Sequence, residues 1–184
     1  MASEGPNFPD TGTDDDSFGS FAWANPGRII ASDDTNVAQV TLSTQGDISH
    51  YLKATDFDFA IPDGAVVSGI LVEIEQRCAQ ENAIRDERVR IVKGGVIGTT
   101  DKADLSGWPT SDTFRGYGGA SDLWGETWSS ADINATTFGC VIAATKFDIG
   151  GARTAVVDSI RITITYADGR TPPISAMGFL RRGF

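Results

Sequence analysis

The chain has 184 residues, 40% of them hydrophobic, with 21 Gly, 7 Pro and a formal net charge of −10. That length supports an apolar core without a metal or disulfide staple, and the Gly and Pro content favours turns over long helices. The acidic balance argues against a nucleic-acid partner, whose phosphates demand Lys and Arg, and no run approaches the ~18 uncharged apolar residues of a membrane span.

The opening, MASEGPNFPDTGTDDDSF, has neither a basic region nor an apolar run, so it does not read as a signal peptide. It carries Glu4, Asp10, Asp14, Asp15 and Asp16 without a Lys or Arg, and residues 1–22 read as an extended N-terminal arm. From Trp23 the texture changes. An Asn-Pro-Gly turn, a short apolar run and an Asp-Asp-Thr-Asn turn lead into the alternation of Ala38, Val40 and Leu42. Phe57, Phe59 and Ile61 then recur with period two until Pro62-Asp63-Gly64 reverses the chain.

After Gly69 the alternation is sustained: Ile70, Val72, Ile74 and Cys78 face one way, and Glu73, Glu75 and Arg77 the other. Leu71, on the wet side, breaks the pattern. One buried and one solvated face is the behaviour of an antiparallel sheet in a sandwich. Val89 and Ile91, then Phe138, Cys140 and Ile142, then Ile160, Ile162, Ile164 and Tyr166 repeat it. The reading is an all-β, antiparallel, jelly-roll-like sandwich of roughly seven to nine strands over residues 23–166, with extended N- and C-terminal arms. One helical turn, capped by Ser129 or Ser130, fits SSADINATTFG.

Residues 96–137 form a long insert rich in Trp and Gly. Loops of this length are uncommon unless functional or self-packed. Trp108, Tyr117, Trp124 and Trp128 therefore have three readings: a self-packed lid, a partner interface, or a platform for a glycan. After Ala167, residues 167–184 read as a C-terminal arm. Ile174, Met177, Phe179, Leu180 and Phe184 offer it apolar anchors, and Arg181 and Arg182 suit an acidic surface.

Catalytic motifs are not evident. His50 is the single histidine and reads as structural, and no Walker loop, G-x-S-x-G elbow or dinucleotide-binding glycine pattern occurs. Glu73 and Glu75 project from one strand face roughly 7 Å apart, a spacing that glycoside hydrolysis tolerates. Neighbouring acids on a wet strand are common, however, and Arg77 stands beside them as a salt partner. Asp14, Asp15 and Asp16, and Asp33 with Asp34, read as solvated acidic turns; whether Asp33 or Asp34 binds calcium stays open. No metal site and no cofactor are assigned. Cys78 and Cys140 read as small buried thiols.

Taken together, ATDFDFAIPDGAVVSGILVEIE (54–75), RIVKGGVIGTTDKA (90–103), YGGASDLWGETWSSADINATTFGCVIAA (117–144) and DSIRITITY (158–166) resemble a sandwich domain of tailed-bacteriophage virion proteins. The resemblance runs from about Trp23 to Tyr166, and the YGG, SDLWG, W, DIN and FG series is its most specific part. It implies a non-enzymatic structural protein of the virion. A capsid decoration (cement) subunit held by its arms is the leading expectation, with the major capsid protein or other virion proteins as partners and a homo-oligomer as the state. A receptor- or glycan-binding module of a head or tail fibre, with a host surface glycan as ligand, is the alternative.

Overall fold

The structure is a computed structural model and describes residues 1–169. The apolar and basic anchors expected from Ile174 to Phe184 lie outside the described residues.

Among the described residues, ten strands build two antiparallel sheets packed as a sandwich: β1 (Ala2–Asn7), β2 (Thr11–Asp15), β3 (Ala38–Leu42), β4 (Tyr51–Thr55), β5 (Val66–Arg77), β6 (Ile84–Lys93), β7 (Val96–Ile97), β8 (Thr113–Gly119), β9 (Gly139–Lys146) and β10 (Arg153–Ala167). The first sheet runs β1-β10-β5-β8, with β3 also on β10; the second runs β2-β4-β9-β6-β7. Successive strands therefore alternate between sheets, save for the β6–β7 hairpin. The expected fold class is the one found.

Periodicity explains the core. Ile70, Val72 and Ile74 of β5 pair with Ile164, Ile162 and Ile160 of β10, and all six are fully buried. Each such side chain contributes about 1.5–3 kcal/mol through lost water contact. Opposite them stand Leu52, Ala54, Val89, Ile91, Cys140 and Ile142 of the second sheet. Both cysteines are free and buried, and burial pushes their thiols up. β9 is buried on both faces because the outer surface of its sheet is also covered. Phe18 lies 5.0 Å from Tyr51 there, and the Arg88 guanidinium stacks 3.9 Å over Phe18.

Two expectations are corrected. Residues 1–22 are no detached arm: β1 pairs with β10 and β2 with β4, so the N-terminal segment supplies a strand to each sheet. The insert over 96–137 is no structureless loop either. It contains β7, β8 and a helical turn, α1 (Ser130–Ile133), whose N-cap is Ser129. Asp132 completes the cap by returning a carboxylate oxygen to the Ser129 N–H at 2.9 Å.

One edge of β10 is shared by three segments in line. β1 covers Ile162–Tyr166, Ile30 bridges Ser159, and β3 covers Arg153–Val157. The chain leaves this edge at Ile30 and returns at Ala38. On its other edge β10 pairs with β5, with a bulge between Val157 and Ser159.

Candidate functional site

The aromatic residues of the insert are placed by buried acceptors. Trp108 donates its backbone N–H to Ile84 and its indole N–H to Asp86 Oδ1 at 2.7 Å. The Tyr117 hydroxyl donates to Asp86 Oδ2 at 2.8 Å, and the Asp104 N–H reaches the same oxygen at 2.9 Å. Burial pushes Asp86 above the usual carboxylate range while these donors oppose the rise; burial and the Asp86 charge push Tyr117 up. Trp124 donates its indole N–H to the Ile70 carbonyl at 3.0 Å, and Trp128 donates to Leu123 at 3.0 Å. Trp108, Tyr117 and Trp124 are at most 4% exposed. They present no open ring face, so of the three readings the self-packed lid fits these residues and the platform does not. Trp128 is half-buried, edge-on to Phe138 at 5.4 Å.

The YGG and SDLWG elements build that lid. Gly118 has φ 77°, and a Cβ there would meet the Ile70 carbonyl oxygen at 2.5 Å and Trp124 Nε1 at 2.7 Å. Asp122 accepts the Trp124 N–H at 2.8 Å and the Lys102 ammonium at 2.6 Å, which holds its carboxyl below the usual range against the opposing effect of burial.

Trp108 does border open space. At the end of the sandwich where β5 stops, Glu81, Asn82, Trp108, Pro109, Thr110 and Ser111 line a cleft of about 450 Å³. Glu81, Asn82, Thr110 and Ser111 bring a carboxylate, an amide and two hydroxyls to its lining, with Pro109 among them. The sequence marked Trp108 but not Asn82, Thr110 or Ser111, because nothing in their local pattern separates a cleft wall from a turn.

The carboxylate pair on β5 divides into different tasks. Glu73 is held by both Arg161 Nε and Nη2 at 3.0 Å, and Phe114 lies 3.7 Å beneath that guanidinium. Arg77, expected to serve the pair, instead donates to both oxygens of Asp112 at 2.9 and 3.0 Å. Glu75 is buried and accepts from Ser159 Oγ at 2.8 Å. His50 bonds Asp14 Oδ2 through Nδ1 at 2.8 Å, Asp14 Oδ1 accepts the Trp23 N–H at 2.7 Å, and Trp23 returns its indole N–H to the His50 carbonyl at 2.9 Å. This closed circuit fastens β2 to the core.

The acidic turn also separates its two members. Asp33 takes the N–H groups of Thr35 and Asn36 at 3.0 and 2.7 Å, and the Asn36 amide first of all holds its carboxyl low. Asp34, at φ 60°, belongs instead with Glu75 and Asp158.

No protein-family model matches the chain, and no curated protein matches it. Among solved structures, one described as "CBM4 structure and function" aligns over 78% of this chain and 89% of its own, with 11% identity and a TM-score of 0.42. Another, "Structural analysis of an exo-beta-agarase", covers 92% of this chain at 9% identity and a TM-score of 0.39; the match spans 24% of that chain's length.

Proposed function

We propose that the chain is a non-catalytic saccharide-binding module of a virion fibre. The observation that carries this reading is the cleft beside Trp108. Its hydroxyls, amide and carboxylate offer donors and acceptors to a polyhydroxylated ring, and Pro109 offers an apolar patch. Glu73 is held in an ion pair with Arg161 and Glu75 is buried against Ser159, which supports binding rather than hydrolysis. The resemblance of the YGG and SDLWG elements to tailed-phage domains supports the virion as location.

A cement subunit is less well supported. That role relied on two free arms, and the first of them is woven into both sheets. Bridging would fall to residues after 169, outside those described.

The test applies the full chain to an array of bacterial surface polysaccharides, followed by calorimetry on any hit. Thr110→Arg, which fills the cleft from an exposed position, is expected to weaken binding about tenfold or more with an unchanged melting temperature. Absence of polysaccharide binding by the wild type, or equal binding by the Arg variant, overturns the proposal. A chain that binds no glycan yet sediments with virion shells takes the cement role instead.

A further inference from the structure

The outer face of the β10 sheet carries an uncompensated concentration of negative charge. Glu73, Glu75 and Arg77 share this face of β5, and the outer two have partners in Arg161 and Asp112. Glu75, between them, pairs with no Lys, Arg or His among the described residues. Where Ser159 faces Glu75, the β10 bulge inserts Asp158 beside it. The loop leaving the sheet edge at Ile30 then brings in Asp34. One carboxylate oxygen from each of Asp34, Glu75 and Asp158 lies within 4.8 Å of the other two.

The donors available do not balance this group. The Ser159 hydroxyl serves Glu75, the Asp33 N–H serves Asp158 Oδ2 at 3.1 Å, and the Asp34 N–H also turns toward the Asp158 carboxyl. Asp158 Oδ1 is buried with no hydrogen-bond partner, in a residue that is 0% exposed. A buried carboxylate oxygen without a donor is costly, and adjacent carboxylates repel unless something positive joins them.

We propose that Asp34, Glu75 and Asp158 bind a hard divalent cation, calcium in particular, which ties the loop over residues 31–37 to the bulge of β10. The donor set is all oxygen, and the group contains no His or Cys, which disfavours zinc and the softer transition metals. Two ligands stand on paired strands and the third on a loop, an arrangement whose freedom suits calcium's irregular six- to eight-fold shell better than the strict octahedron of magnesium. Asp33 is excluded as a ligand because its carboxylate is spent on Thr35 and Asn36.

The full chain, stripped with EDTA, is titrated with calcium by calorimetry and melted with and without the ion. One calcium per chain and a rise in melting temperature on the order of 5 °C are expected. Asp34→Asn is the decisive variant, because Asn tolerates the left-handed backbone at this position and only the charge is lost. It should weaken calcium binding about tenfold or more, while its EDTA form melts no lower than that of the wild type. Asp158→Asn should abolish the calcium response and raise the melting temperature of the EDTA form. No heat and no thermal shift for the wild type at about 10 mM calcium, or wild-type affinity in Asp34→Asn, overturns the proposal. Should Asp158→Asn fail to fold, Asp34→Asn alone decides.

Discussion

Trp108 donates its indole N–H to Asp86 at 2.7 Å, and both residues are fully buried although 22 positions separate them. The bond anchors the insert to β6. Trp108→Phe removes a donor from a carboxylate that burial already strains, and it also leaves a void. The expected loss is about 2–4 kcal/mol in urea unfolding, with an unchanged denaturant slope. A variant as stable as the wild type would mean that the insert is not part of the core.

Gly118→Ala should destabilise by a similar amount, about 2–4 kcal/mol. The methyl group would strike the Ile70 carbonyl and the Trp124 indole on a backbone at φ 77°. Thermal unfolding monitored by tryptophan fluorescence checks this, since the displaced indole reports directly.

Removing residues 1–15 should lower the melting temperature by about 10 °C or cause aggregation, because it strips a strand from each sheet and bares the edge of β4. It also deletes Asp14, and with it the circuit through His50 and Trp23. An unchanged melt by circular dichroism would restore the arm.

The acid cluster predicts a pH dependence of definite sign. Asp158 is raised from 3.8 to about 6 in the folded chain, so the folded state binds the extra proton. Without calcium, stability should therefore fall as pH rises from about 4 to about 6, by on the order of 3 kcal/mol. Asp158→Asn should remove that slope. Below pH 4 the slope reverses, because hydrogen bonds from Ser17, Ser106 and Ser129 hold Asp15, Asp104 and Asp132 below their ordinary range. Melting curves in EDTA across this range, compared between the two proteins, test both limbs.

What the sequence disclosed follows from which force places each residue. β5 and β10 were legible because their Ile and Val side chains must alternate to bury one face. β1 and β2 were not: as edge strands they are held by backbone pairing, so ASEGPN and TGTDD need no apolar period. The partner of Glu73 was misread for a similar reason. Arg77 is near in sequence, but Arg161 stands directly opposite across the sheet, where side chains meet most closely. Asp34, Glu75 and Asp158 come from three remote segments, and a single inserted residue in β10 joins them. No local spacing encodes that meeting. The Trp residues signalled an unusual segment, but composition alone does not say which way a ring turns.

β5 runs the length of the sandwich, pairing Val66 with Ala167 at one end and reaching Cys78, bonded to the Pro109 carbonyl, at the other. Ala2, across from Tyr166, lies at the first of these ends. Ala2 and Ala167 thus stand at one pole and the cleft opens at the opposite pole, about 40 Å away by the rise of a 12-residue strand. Any body gripping the molecule at Ala2 and Ala167 would hold it like a torch, with the recess aimed outward.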